Sequence, residues 1–153
     1  MGIEIERKFL VVGEAWKQGL TPERLSQGYL NRDKQRTVRV RLAGGAAWLT
    51  IKGESRGATR AEFEYPIPVE DAEQLLALCD GPRVEKYRWR VPHGGLVWEV
   101  DEFLGDNAGL VVAEVELAAE DQAFDMPSWA GEDVTADPRY FNSSLASRPF
   151  KDW

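Results

Sequence analysis

The stretch Ile3-Glu4-Ile5-Glu6-Arg7-Lys8-Phe9-Leu10-Val11 decides how the rest of the chain is read. In an extended strand, successive side chains point to opposite faces. Glu4, Glu6 and Lys8 therefore share one face, and Ile3, Ile5, Phe9 and Val11 share the other. Like charges two residues apart on one face repel, so stability alone does not favour Glu-x-Glu. A bound ion or ligand that neutralises each group does.

The same device recurs along the chain. Strands are expected over 3–12, 27–31, 37–43, 47–53, 61–68, 83–91, 96–103 and 110–117, with turns at Gly44-Gly45, Gly53 to Gly57, Gly81-Pro82 and Gly94-Gly95. On these strands Arg39 and Arg41 oppose Val38 and Val40, and Lys52 with Trp48 and Thr50 opposes Leu49 and Ile51. Glu62 and Glu64 oppose Phe63 and Tyr65, while Lys86, Arg88 and Arg90 oppose Tyr87 and Trp89. Glu99 and Asp101 oppose Trp98 and Val100, and Glu114 and Glu116 oppose Ala113, Val115 and Leu117. Eight such strands predict a mainly β fold, one antiparallel sheet, open or closed. Helices are expected over 70–79, where Ala72, Leu75, Leu76 and Cys79 form an apolar stripe, and from Pro138 to about 146 behind the N-cap Asp137, with a turn or two over 121–126.

A length of 153 residues suits one domain over 1–153, and 43% hydrophobic with 29% charged residues suits a soluble globular chain. The apolar run Phe9 to Val12 is too short for a membrane span or a signal-peptide core, so a cytoplasmic protein is expected. A net charge of -7 argues against broad binding to nucleic acid or an anionic membrane. Cys79 and His93 are the single cysteine and histidine, which excludes thiolate and multi-histidine metal sites. Cys79 reads as a buried thiol and His93 as a hairpin-turn residue.

The collected charged face carries both signs. Carboxylates without His or Cys suit hard cations, Mg²⁺ or Mn²⁺. Paired arginines suit phosphate oxygens. A polyphosphate with its metal ions meets both demands.

The N-terminal stretch resembles the E-x-E-x-K signature of the CYTH superfamily, the triphosphate tunnel metalloenzymes. The likeness continues in Gln27-Gly28-Tyr29-Leu30, Arg39-Val40-Arg41, Thr50-Ile51-Lys52-Gly53, Glu62-Phe63-Glu64-Tyr65, Glu85-Lys86-Tyr87-Arg88, Glu99-Val100-Asp101 and Glu114-Val115-Glu116. Asp133-Val134-Thr135, then Asp137-Pro138-Arg139-Tyr140 and Asn142, resemble the end of short bacterial members. The resemblance implies an eight-stranded antiparallel closed barrel whose charged lumen holds a triphosphate and one or two divalent metals. It implies hydrolysis of inorganic triphosphate first. Organic triphosphate chemistry (adenylate cyclase, thiamine triphosphatase or nucleoside triphosphatase) and a non-catalytic polyphosphate binder are the alternatives.

On this reading Glu4, Glu6, Glu114 and Glu116 are the metal carboxylates, with Glu62, Glu64 and Asp101 as further candidates beside structural pairing roles. Lys8, Arg39, Arg41, Lys52, Lys86 and Arg88 form the phosphate clamp. Lys8, crowded by arginines, is the candidate for proton exchange, and Tyr29 its partner or that of the attacking water. Arg7, on the apolar side, is expected to be solvated or to snorkel, Trp48 to plug the tunnel mouth, and Arg139 with Tyr140 to begin a helix closing one end. A homodimer would cover apolar outer strands.

Overall fold

Alternation of charged and apolar side chains carries a nearly continuous antiparallel sheet around until it meets itself. The computed structural model describes residues 2–153; Met1, the first residue of the expected 1–153 unit, lies outside the described residues. The strands are β1 (Ile3–Val11), β2 (Glu23–Asn31), β3 (Arg36–Ala43), β4 (Ala46–Gly53), β5 (Thr59–Ile67), β6 (Val84–His93), β7 (Leu96–Phe103), β8 (Val111–Glu116) and β9 (Ala130–Asp133). Helix α1 (Val69–Leu78) follows β5, and α2 (Asn142–Ser147) lies near the C-terminus.

The order is β5-β4-β3-β2-β6-β7-β8-β1-β9, and β5 also pairs with β1. That last pairing, through Ile3↔Ala61, Glu4↔Arg60 and Ile5↔Thr59, closes an eight-stranded barrel. One edge of β1 runs along β8 from Glu6 to Leu10. The other edge is shared: β5 takes its first half, and β9 takes Phe9 and Val11. The β6–β7 hairpin turns at Gly94 and Gly95, whose φ values of 58° and 79° give the left-handed pair that a two-residue turn requires.

The apolar residues lie mainly on the outer face, much of which is covered by three clusters, while Ile51, Phe63 and Tyr65 on β4 and β5 stay exposed. Helix α1 sets Ala72 and Leu76 on Val40 and Ala47. The C-terminal segment sets Tyr140, Leu145 and Ala146 on Val84, Phe103 and Val112. Trp16, Phe124 and Trp129 gather around Phe9, Trp98 and Val115. The lumen is thereby left to the polar residues.

Three expectations are corrected. No helix forms over 121–126, because Phe124 is drawn into the aromatic cluster, 5.7 Å from Trp98 and 6.2 Å from Phe9. The helix expected from Pro138 breaks in two: a 3-10 turn over Pro138–Tyr140, capped by Asp137, then α2, with Phe141 extended between them. Strand β2 begins at Glu23, four residues before the expected 27, and β9 was not expected at all.

Candidate active site

The lumen holds a cavity of about 340 Å³ lined mostly by charged side chains. Every strand from β1 to β8 supplies lining residues: Glu4, Glu6 and Lys8 from β1, Tyr29 from β2, Arg39 and Arg41 from β3, and Trp48 and Lys52 from β4. Glu62 and Glu64 come from β5, Lys86, Arg88 and Arg90 from β6, Glu99 from β7, and Glu114 and Glu116 from β8. The parity that puts Ile and Val outside puts these groups inside.

Carboxylates meet in pairs. Glu62 and Glu4 share a hydrogen bond, and Lys52 Nζ lies 3.2 Å from Glu4 Oε1 and 3.3 Å from Glu62 Oε2. Burial raises both carboxyls, but Lys52, the Glu62 hydrogen bond and Arg60 hold Glu4 down at about 2. Burial and the neighbouring Glu4 push Glu62 up to about 7. The pair therefore titrates as a unit and gives up its last proton only around neutrality. Glu6 and Glu114 behave alike. Burial, Glu114 and Glu4 raise Glu6, while Lys8, the Glu6 hydrogen bond, Arg88 and Lys86 outweigh burial and hold Glu114 well below the usual range.

Cations differ in how far they are neutralised. Lys86 Nζ donates to Asp101 Oδ2 at 2.6 Å, and Arg88 donates to both Asp101 oxygens at 2.8 and 3.0 Å. Burial nonetheless brings the Lys86 amine down to about 7, helped by Arg88 and Arg41 and opposed by Asp101. Arg39 lies 3.6 Å from Glu64, and its Nε is buried without a partner among the described residues. Lys8 and Arg41 line the cavity and, among the described residues, have no carboxylate within 4.0 Å. Burial, Arg39 and Arg88 bring Arg41 down to about 9, the response of a cation held beside other cations.

Asp101 takes the structural pairing weighed for it beside metal binding: it is 0% exposed, and its two oxygens accept from Lys86 and Arg88. Arg139 and Tyr140 do not close the tunnel: Arg139 is exposed against Asp137, and Tyr140 packs in the outer core. The C-terminal residues that do reach the cavity are Phe141, Asn142 and Ser143. Arg7, partly exposed, lies along the Phe9 and Phe124 rings and pairs with Asp133. Cys79 packs against Gly28, and its thiol is raised by burial.

The sequence reading gave no site role to Arg60, Gln27 or the 141–143 segment, although Gln27 and Asn142 stand in the stretches that carry the family resemblance. Arg60 has the parity of Glu62 and Glu64 and donates to Glu4 at 3.4 Å; starting that strand two residues earlier would have found it. Gln27 is 0% exposed and bonds Arg41 and Asn142, but a neutral amide leaves no mark in a charge pattern.

The fold and the site together define a class, the antiparallel barrel whose tunnel is lined by charges of both signs, here with Lys8 and Arg41 lacking a carboxylate partner among the described residues. The chain belongs to the CYTH domain family, whose model matches residues 2–149. An inorganic triphosphatase of Acetivibrio thermocellus is 48% identical over 100% of this chain and 99% of its own length. One of Nitrosomonas europaea is 42% identical over 94% of this chain and 96% of its own. The crystal structure of an inorganic triphosphatase superposes with a TM-score of 0.68 at 40% identity, covering 94% of this chain and 93% of that one. A conserved hypothetical protein from Pyrococcus furiosus, 19% identical with a TM-score of 0.59 over 77% and 80% of the two chains, shares the fold.

Proposed function

We propose that this chain hydrolyses inorganic triphosphate to pyrophosphate and phosphate within the barrel, as one unit over 1–153 and with Mg²⁺ or Mn²⁺ as cofactor. The observation that carries this reading is the enclosed lumen in which Lys8 and Arg41 lack any carboxylate partner among the described residues, with Arg39 only loosely held. Full-length relatives that are inorganic triphosphatases support it.

The donor set fits a hard divalent cation. It is carboxylate only, and among the described residues no three His, Cys, Asp or Glu side chains form a ready-made cage. Pairs such as Glu6–Glu114 and Glu4–Glu62 suit Mg²⁺, which takes one or two carboxylates and completes its shell with water and substrate phosphates. Glu116 lies across from Glu6 on β8 and would serve the same ion. Glu64 accepts from Thr50 and faces Arg39, which makes it an orienting group for the clamp. When bound, the cation supplies charge withdrawal from the phosphate oxygens.

The chain's own groups do the rest. Arg39, Arg41, Lys52 and Arg88 hold the triphosphate in line and stabilise charge on the transferred phosphoryl group. Lys8 Nζ, 3.4 Å from the Tyr140 carbonyl and 5.3 Å from the Phe141 ring, adds a further phosphate contact. The proton-accepting role first assigned to Lys8 fits Lys86 better, because the Lys86 amine titrates near neutrality. Lys86 takes a proton from water as the oxygen bonds to the terminal phosphorus and the bridging P–O bond breaks. Pyrophosphate departs with that bond's electrons. Tyr29, on the same lumen, hydrogen-bonds the water.

Phosphate release from inorganic triphosphate and from ATP, each with Mg²⁺, Mn²⁺ or EDTA, tests the reading. Metal-dependent release from inorganic triphosphate, little from ATP, and loss of turnover in Glu6→Ala with the fold intact are expected. Turnover of ATP alone would move the chain to nucleotide chemistry.

A further inference from the structure

Arg41 is the lumen arginine whose charge is least cancelled, yet it is not loose. Its Nε donates to Gln27 Oε1 at 3.0 Å, and among the described residues no second side-chain partner takes its amino groups. Its neighbours Arg88 and Lys86 are held by the carboxylate of Asp101. Arg41 is held by a neutral amide instead. An amide oxygen fixes direction as a carboxylate does, but leaves the full positive charge for a ligand.

The orientation of that amide is itself determined. Asn142 Oδ1 accepts from Lys86 Nζ at 2.9 Å and from Gln27 Nε2 at 3.2 Å. With the Gln27 NH₂ committed to Asn142, and a contact of 3.4 Å to the Tyr29 hydroxyl, its oxygen must face Arg41. Gln27 is wholly buried, so no water competes for these bonds. Residues on β2, β3, β6 and the start of α2 are thus joined through two uncharged side chains in a site otherwise made of charges.

We propose that Gln27 is a positioning residue for triphosphate binding, acting through Arg41, with its amide set by Asn142. It points the guanidinium at the phosphate chain while keeping it unneutralised. This rests on the triphosphate reading above. A carboxylate in its place would pair with Arg41 and remove the charge that the substrate needs. An apolar side chain of similar length would free the guanidinium to wander.

The experiment compares the wild type, Gln27→Glu, Gln27→Met, Arg41→Met and Gln27→Met with Arg41→Met. Affinity for inorganic triphosphate is measured by calorimetry in EDTA, kcat and KM with Mg²⁺, and folding by thermal melting. Gln27→Glu and Gln27→Met should each weaken binding and raise KM on the order of tenfold, with kcat changed much less. In the Arg41→Met background, the Gln27 change should add nothing further. Unchanged affinity in a folded Gln27 variant, or losses that simply add in the double variant, would overturn the proposal. If Gln27→Glu does not fold, Gln27→Met decides. A wild type that binds triphosphate without cleaving it would end the hydrolase reading and leave the binding comparison to judge Gln27. A wild type that binds no triphosphate in EDTA and cleaves none with Mg²⁺ overturns both.

Discussion

Asp101 binds Lys86 and Arg88 with both oxygens, and Asp101 and Lys86 are 0% and 1% exposed. Removing one member of such an enclosed group strands the others without water. Asp101→Asn should therefore lower stability by about 3–5 kcal/mol, read from urea unfolding. The same group governs pH dependence. Burial, with Arg88 and Arg41, sets the Lys86 amine at about 7, and Asp101 opposes that fall. Below this value the amine is charged and cannot accept a proton; above it the amine is free. The kcat/KM profile should accordingly rise through about pH 7 and level off, a limb that Asp101→Asn moves to lower pH. A limb that survives in Lys86→Met would remove Lys86 from the chemistry. The charged residues of the site were legible one by one, since parity alone sorts Glu4, Lys8, Arg39 and Glu114 from Ile5, Phe9 and Val40. What parity cannot show is which charge cancels which. Asp101 has the same pattern as Glu99 and Glu114, and only the register Arg88↔Asp101 reveals its partners.

Strand β2 meets helix α1 at Gly28, where a Cβ would stand 2.9 Å from Cys79 Sγ and 3.2 Å from Leu76 Cδ2. The helix packs this closely because the strand offers no side chain there. Gly28→Ala should push α1 outward and cost about 1–3 kcal/mol, measured by thermal or urea unfolding. Its effect on KM should be small, because Gly28 points away from the lumen residues Gln27 and Tyr29. If Gly28→Ala melts like the wild type, the α1 packing is softer than the structure indicates. At this scale the sequence was readable wherever alternation was clean. β3, β4, β6 and β7 appear within three residues of their expected ends. β2 was read too short because Leu25, an apolar side chain on the charged face, breaks the alternation ahead of Gln27. β9 escaped because four residues, Ala130-Gly131-Glu132-Asp133, carry no period; its pairing with Phe9 and Val11 is what orders it. Tyr140 anchors the end of the C-terminal 3-10 turn in the outer core, and the turn at Phe141 then brings Asn142 to the lumen, a tertiary effect that no local capping signal foretells.

At the scale of the whole molecule, the chain is an acidic protein, net -7, folded around a lumen in which cations match the carboxylates in number. Alternation alone left the sheet open or closed; closure depends on three residue pairs between β1 and β5, in which Glu4 meets Arg60. The apolar clusters that hold the barrel lie outside the lumen, so the fold does not need a ligand to supply its core. EDTA alone should leave the melting temperature nearly unchanged. Triphosphate with Mg²⁺ should raise it, because the ligand binds the folded barrel and meets the charges of Lys8, Arg39 and Arg41 at once. At about one hundred times Kd this linkage amounts to about 2.7 kcal/mol, or about 5–10 °C for a chain of this size. Sulfate at equal ionic strength should give only a small part of the shift, since one tetrahedral anion cannot span the clamp. An equal shift from sulfate would mean that the lumen answers to anions in general and not to a linear triphosphate. Unfolding by EDTA would mean that a cation belongs to the scaffold, and the carboxylate pairs would then have to be read as structural.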